Sequence, residues 1–344
     1  MIHIGILGIG FMGVTHFKAM RQVKGGKVVA ICTRDPKKLE GDWRGVQGNF
    51  GGSGGVQDLT GIRKYADMRD LFDDPGIDLV DICLPTPLHK QATLAAFKAG
   101  KHVLLEKPIE VSLAAADQML AAAKKARRQF MVAQVLRFFP EFRYLKSALD
   151  TGTYGRLKAL QLKRIISTPD WGSWNEDLDR TGGPAIDLHI HDSDFGNFLF
   201  GKPRAVSSTG VIESKSGQTI YVATNYDFGR RDLAVSAYSG AVATKGLPFE
   251  HGYDAYFEKA TIAYNSTHCP KVTVVDAKGK KFHPKLSFPE AFAAEMQEAV
   301  NTIASGKPSK LISAVSARDS LAICLAEVRS VRSGKPERVR AATS

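Results

Sequence analysis

Cysteine is scarce. The chain has four in 344 residues, Cys32, Cys83, Cys269 and Cys324, and none shows C-x-x-C or zinc spacing. Cys32 and Cys83 lie in apolar strand-like runs and Cys324 in a helical one. They read as small buried thiols in a reducing compartment, not as a disulfide framework. Long apolar runs are missing too: none reaches the ~18 residues that a membrane span needs. No basic, apolar and cleavage regions precede the first strand. The expectation is a cytoplasmic protein with no membrane partner. Helix-turn-helix, RNA-binding and zinc-finger signatures are absent, as are internal repeats. Low complexity is confined to residues 340–344.

Charge is plentiful and unbalanced. Lys and Arg total 47 against 35 Asp and Glu, a net +12. Such a balance suits nucleic acid, an anionic substrate or a phosphorylated cofactor. The basic residues are dispersed apart from short clusters at Lys124 to Arg128 and Lys335 to Arg340. A solvated basic surface is therefore expected, and no nucleic-acid partner. The remaining composition, 44% hydrophobic and 24% charged, is that of an ordinary globular chain. At roughly 100–200 residues per domain, two domains are predicted.

The first third alternates strand and helix patterns. Strands are predicted at Ile2–Leu7, Lys27–Thr33, Val80–Leu84 and His102–Leu105, with helices at Met12–Val23, His89–Ala99 and Ser112–Arg128. That alternation implies βαβ units and a parallel sheet. Gly41 to Ile62 breaks the pattern, with eight glycines and little apolar periodicity. It reads as a surface insertion or a flexible flap near a ligand. The second half carries strand-like runs at Leu157–Ile166, Ala205–Glu213, Thr219–Tyr226, Leu233–Tyr238, Ala260–Tyr264 and Lys271–Val275. Such neighbours suggest a mainly antiparallel sheet with one face solvated or at an interface. Helices are predicted at Phe288–Ala304 and Ser316–Ser333.

The segment GILGIGFMG holds Gly8-x-Gly10-x-x-Gly13 between a strand and a helix, with Phe11 and Met12 inside the turn. Gly8 permits a tight turn, Gly10 a close approach to pyrophosphate, and Gly13 close helix–strand packing. The helix N-terminus then offers free N–H groups to phosphate. Dinucleotide binding follows. At the end of the second strand, where an acid would hold the ribose 2′-OH of NAD, the sequence has Thr33 and Arg34. A hydroxyl and a guanidinium suit a 2′-phosphate, so NADP is favoured over NAD. Asp35 lies one step later. Pro85, Thr86 and His89 follow another strand end and join the cofactor candidates.

Further residues carry a resemblance. DLVDICLPTPLH, then AGKHVLLEKPIEVSLAAA with Glu106-Lys107-Pro108, and GGPAIDLHIHDSDF with Asp187 and His191 four residues apart, resemble the Gfo/Idh/MocA oxidoreductases. The resemblance implies an α/β protein: an N-terminal Rossmann dinucleotide-binding domain, then a C-terminal α/β domain with a large, mainly antiparallel open sheet. The domains are expected over 1–126 and 127–344. It also implies an active site between the domains, oligomerisation through the open sheet as a dimer or tetramer, and Lys107 and His191 beside the nicotinamide with Asp187 supporting them. Glu106 joins the cofactor contacts on the same ground. Where many members have Gly, this chain has His189.

Hydride transfer at a carbinol needs a proton acceptor, and a histidine titrating near neutrality supplies one. His191 is the expected proton-transfer residue, Lys107 the hydroxyl-binding partner and Asp187 the orienting group; the roles of Lys107 and His191 are interchangeable. A metal reading exists for Asp187, His189, His191, Asp192 and Asp194, because residues two apart in a strand share a face. The family chemistry needs no metal, and none is expected. His189 is then a substrate contact or a structural hydrogen-bonder. Arg137 and Trp174 are further substrate candidates, the tryptophan as a stacking surface for a sugar. The expected reaction is NAD(P)-dependent oxidation or reduction of a sugar, cyclitol or related polyol. Redox-neutral glycoside cleavage with a tightly bound cofactor is the alternative. A non-catalytic cofactor-binding regulator is a weaker one.

Overall fold

The computed structural model describes residues 1–48, 53–168 and 181–340. The chain divides into two compact units, Met1–Phe138 with Pro289–Arg318, and Phe139–Phe288 with Asp319–Ser344.

The first unit is built on six parallel strands: β1 (Ile2–Leu7), β2 (Gly26–Cys32), β3 (Arg63–Tyr65), β4 (Leu79–Ile82), β5 (His102–Glu106) and β6 (Phe130–Ala133). Their order is β3-β2-β1-β4-β5-β6. The sequence turns outward from β1 in both directions, so the switch point lies beside β1. Helices α1 (Phe11–Ala19), α2 (Pro36–Leu39), α3 (Met68–Asp73), α4 (His89–Lys98) and α5 (Leu113–Ala126) connect the strands. Ile4, Ile6, Ile31, Leu79, Ile82, Val103 and Leu105 are all fully buried or nearly so. Sheets covered on both faces give such unbroken apolar runs. Helix ends follow their sequence signals: Asp35 caps α2, Ser112 caps α5, and α4 stops before Gly100 in the left-handed region.

The expected boundary after residue 126 falls too early. β6 extends the parallel sheet by pairing with β5. The chain also returns to this unit, where α9 (Ala291–Ser305) packs on α1. A boundary read from composition misses such a return, because the second crossing is not contiguous with the first.

The glycine-rich insertion is more ordered than its composition suggests, over its described residues. Trp43 is fully buried, edge-on to Phe17 at 4.8 Å, and its indole N–H donates to the Lys38 carbonyl (2.8 Å). Backbone bonds from Trp43 to Gly55 and from Gly54 to Val46 close the loop on itself. A Cβ at Gly48 would sit 2.1 Å from the Phe11 ring, so this backbone lies directly on the first turn of α1. Residues 49–52 lie outside the described residues.

The second unit holds a nine-stranded sheet. Its strands are β7 (Leu157–Ser167), β8 (Ala205–Ile212), β9 (Thr219–Asp227), β10 (Ala234–Ala243), β11 (Glu250–Phe257), β12 (Ala260–Asn265), β13 (Cys269–Asp276), β14 (Lys281–Phe282) and β15 (Glu337–Arg338). The order is β14-β13-β12-β11-β7-β10-β9-β8-β15. All pairs are antiparallel except β7 with β10. On β7 the residues Leu160, Leu162, Arg164 and Ile166 are buried while Gln161 is exposed, the alternation of a sheet covered on one face. This unit also holds α6 (Pro140–Thr151), α7 (Gly183–Asp187) and α8 (Ile190–Phe200). The last helix, α10 (Ala314–Ser333), begins in the first unit and ends in the second. β11 and α6 were not foreseen: EHGYDAYF mixes polar and aromatic residues without a clear period, and α6 announces itself only by Pro140 at its first turn.

Replacing Trp43 by Ala removes a fully buried indole and its hydrogen bond. A loss of about 3–5 kcal/mol in unfolding free energy is expected, as for other buried Trp-to-Ala changes. Urea denaturation of the variant checks it; a loss below about 1 kcal/mol would mean that the loop does not depend on this anchor.

Candidate cofactor and proton-transfer site

Parallel strands deliver their loops to one edge. The carboxyl ends of β1, β2, β4 and β5 bring together Gly8–Gly13, Thr33–Arg34, Pro85–Thr86 and Glu106–Lys107.

The glycines behave as their spacing requires. Gly8 has φ +99°, and a Cβ there would come within 2.6 Å of the Cys83 carbonyl oxygen. A Cβ on Gly13 would lie 2.0 Å from the Gly8 carbonyl oxygen, so α1 and the turn touch. A Cβ on Gly10 would meet nothing within 4 Å. Gly10 is the N-cap of α1, and no side chain caps that terminus. Open space before an uncapped helix N-terminus fits a dinucleotide pyrophosphate. Phe11 and Met12 are half-buried at this end of the helix.

At the end of β2, Arg34 is exposed and Thr33 half-buried. Asp35 is committed elsewhere: its carboxylate accepts from the Lys37 N–H (2.9 Å), and its own N–H donates to Thr33 Oγ1 (3.3 Å). Asp35 thus serves as the N-cap of α2.

At the end of β4, Thr86 is buried and Pro85 exposed. His89 does not face a ligand, contrary to expectation. It is 1% exposed, with Nδ1 2.9 Å from the Pro108 carbonyl and Nε2 2.8 Å from the Leu84 carbonyl. The ring ties the loop after β4 to the loop after β5. Burial pushes its pKa down. Arg137 is likewise buried, donating to the Leu311 carbonyl and Ser316 Oγ, both at 2.8 Å. It holds the returning segment, so its place is structural and not that of a substrate contact.

Lys107 is half-buried, directly after β5, and the Lys107–Pro108 bond is cis. Its backbone N–H donates to Glu106 Oε2 (3.1 Å). Glu106 is buried, and its other oxygen lies 3.1 Å from His16 Nε2. His16, on α1, is fully buried, with Nδ1 2.9 Å from Asp81 on β4. Cys83 Sγ is 3.6 Å from the same nitrogen. Glu295 of α9, also fully buried, approaches Nε2 to 3.9 Å. Burial alone would push the His16 pKa down, but Asp81 and Cys83 outweigh it and hold it well above the ordinary value. Burial pushes the Glu295 carboxyl well up. His16, Asp81 and Cys83 are the one group of three potential metal ligands found among the described residues. The 2.9 Å contact makes them an ion pair with a thiol beside it. The sequence reading passed over this cluster. An aspartate inside the buried run of β4 was the available signal, since a buried charge demands a partner.

In the second unit, Asp187 ends α7 and His191 lies in the first turn of α8, both half-buried. The segment is helical, so the strand geometry that would have aligned His189 with His191 does not exist. Residues two apart in a helix point to different sides. His189 is fully buried, bonded to Ser239 and 3.1 Å from Glu327. Despite burial, Glu327 raises its pKa. Asp192 is fully buried and pairs with Arg164 (2.9 Å). Asp194 accepts from Ser320 Oγ (2.7 Å). His189 is thus a structural hydrogen-bonder, and these acids serve the interior of the unit. Trp174 lies outside the described residues.

The first unit is a Rossmann fold whose glycine turn, open helix terminus and switch point define a dinucleotide-binding protein. Comparison with known families agrees. The family described as "Oxidoreductase family, NAD-binding Rossmann fold" matches residues 2–134, and the "GFO/IDH/MocA C-terminal domain" matches residues 142–263. The chain belongs to the Gfo/Idh/MocA family and is an NAD(P)-dependent oxidoreductase. It is 28% identical to a scyllo-inositol 2-dehydrogenase (NAD(+)) of Bacillus subtilis, over 97% of this chain and 95% of that protein. It is 25% identical to a scyllo-inositol 2-dehydrogenase (NADP(+)) of the same organism, over 75% and 68%. Among solved structures, levoglucosan dehydrogenase in complex with NADH superposes with a TM-score of 0.82 at 20% identity, over 98% of this chain and 99% of that one; the likeness is one of fold. No helix among the described residues is long and apolar enough to cross a membrane.

The buried histidines predict the pH dependence of stability. His16 and His189 have raised values, so their contribution is complete below the ordinary 6.5 and is lost as pH rises through the raised ones. His89 and His251 are lowered by burial, the latter to about 3. Their contribution is present above 6.5 and is lost as pH falls. Melting temperature should therefore peak near the ordinary histidine value and decline on both sides. Thermal melts across about pH 5 to 9 check this; a Tm still climbing at the alkaline end would contradict the imidazolium assignments.

Proposed function

We propose that the protein oxidises or reduces a CH–OH carbon of a sugar, cyclitol or related polyol, with NADP favoured over NAD. The observation that carries the reading is the carboxyl edge of the first sheet. There the glycine turn, an exposed Arg34 and Lys107 follow β1, β2 and β5 of one parallel sheet. The names of the inositol dehydrogenase relatives support the substrate class.

Gly10 and the N-terminus of α1 would hold the pyrophosphate, and Arg34 with Thr33 a 2′-phosphate. The bound dinucleotide supplies the hydride acceptor or donor. Lys107 Nζ binds and polarises the substrate oxygen. His191 takes the hydroxyl proton in oxidation and returns it in reduction. Asp187 orients them. The glycoside-cleaving reaction uses the same groups and is distinguished by product without net change in nicotinamide absorbance. We further propose assembly as a homo-oligomer through the open face of the nine-stranded sheet, in the cytoplasm.

A panel of sugars, cyclitols and sugar acids, followed by absorbance and by product, identifies the substrate. With it, Lys107→Ala and His191→Ala should each lower kcat by about 10²–10⁴-fold, the usual contribution of acid–base catalysis, and leave cofactor affinity nearly intact. The two losses should not add, because the groups act together. Near-normal turnover in both variants would place the chemistry elsewhere.

Arg34→Ala should weaken NADP binding by about tenfold or more, since a hydrogen bond to a charged group contributes about 1.5–3 kcal/mol. NAD affinity should change little. Calorimetry showing tighter NAD than NADP binding in the unmodified protein would overturn the preference.

A further inference from the structure

The proton-transfer reading leaves one buried cluster unused. It spans four elements of the first unit. His16 stands on α1, six residues past the glycine that would face pyrophosphate. Asp81 lies in the middle of the central sheet, Glu106 at the end of β5, and Glu295 on the returning helix α9. None of these side chains is more than 8% exposed.

Charge in such a place is costly unless paired. The pairing here is sequential. Asp81 holds His16 Nδ1 at 2.9 Å. His16 Nε2 lies 3.1 Å from Glu106 Oε1, an ion-pair distance without hydrogen-bond geometry. Glu106 Oε2 accepts the backbone N–H of Lys107 at 3.1 Å. One carboxylate thus spends one oxygen on the ring and the other on the main chain of the lysine. Both oxygens of Glu295, like His16 Nε2 itself, lack a hydrogen-bond partner among the described residues, although Oε2 lies 3.9 Å from that ring nitrogen.

We propose that His16 is a positioning residue: its ring holds the Glu106 carboxylate as an ion pair, and that carboxylate fixes the Lys107 backbone, so the place of the lysine is set by one imidazole of α1. The proposal rests on the reading of Lys107 as the hydroxyl-binding group. A neutral ring has one N–H, which serves Asp81; an imidazolium sets its charge against Asp81, hydrogen-bonded at Nδ1, and against Glu106, at ion-pair distance from Nε2. The groups facing the ring are Asp81 and Cys83 from the β4 side, Glu106 from β5, and Glu295 and the Phe292 ring from α9. Arg137 adds a positive field at Glu295. Burial pushes the Glu295 carboxyl well up, and Asp81 and Glu106 are the carboxylates that lie within 3.1 Å of the ring.

Two measurements on the unmodified protein decide the matter even if variants fail to fold. Nitrogen NMR of His16 should show both ring nitrogens protonated at neutral pH, and the Lys107 amide should exchange slowly. A neutral ring or a freely exchanging Lys107 amide overturns the proposal. In His16→Leu the Lys107 amide should exchange about tenfold faster, the factor set by one ordinary hydrogen bond, while the Val103 amide of β5 is unchanged. The same variant should lose about tenfold in kcat with cofactor KM nearly unchanged, and His16→Gln, which retains a donor, should restore much of both. Equal acceleration at Val103 and Lys107 indicates general loosening and overturns the specific tie, as does a Leu variant with normal exchange and kcat. Lys107→Ala is assayed alongside. If it turns over normally, the catalytic reading fails, while ring charge and amide exchange still report on the tie.

Discussion

Parallel pairing makes every strand of the first sheet end on the same edge, and the rest of the site depends on that constraint. Six strands in the order β3-β2-β1-β4-β5-β6 leave β1 at the reversal. The loops that follow β1, β2, β4 and β5 therefore become neighbours although they are distant in sequence. A turn that needs two glycines, an exposed arginine and a lysine flanked by glutamate and proline then share one rim. The same constraint explains the tight geometry at Gly8 and Gly13, where no side chain fits between the turn, Cys83 and α1.

Much of this was legible in the sequence. The glycine turn, the four predicted strands of the first sheet and the end of β2 are local signals, read from a few adjacent residues. The partly alternating runs of the second half suggested a mainly antiparallel sheet with one face solvated or at an interface, and the family resemblance implied that it is large and open. What escaped was non-local. β11 is polar and aromatic in its sequence and becomes a strand because β7 and β12 pair with it on both sides. The return of residues 289–318 to the first unit leaves no mark in composition. Trp43 anchors a glycine-rich loop that composition alone marks as loose.

The polar candidates near the motifs share one outcome. Glu106 was placed with the cofactor on the family resemblance, His89 and Arg137 because they are polar and lie near the motifs, and His189 as a substrate contact or a structural hydrogen-bonder. Each is buried, with protein groups at hydrogen-bond or ion-pair distance. A polar residue next to a motif is often there to hold the motif's backbone, and sequence does not separate that task from ligand contact. Burial does. The half-buried Lys107, Asp187 and His191 are the candidates that remain after that test.

The discontinuity of the first unit also bears on how the protein is made. Its sheet is complete once residue 133 has been synthesised, yet α9 and the first turn of α10 belong to the same unit and emerge only after residue 288. Until then α1 lacks its covering helix, and His16 lacks Glu295. The nascent unit must wait on the ribosome with an apolar face open, or fold the intervening segment first. Folding that segment shortens the effective loop to be closed and lowers its entropic cost. A chain cut after residue 138 would strand the sheet in that waiting state, so the gene segment that encodes the dinucleotide fold is not the one that ends where its last strand does.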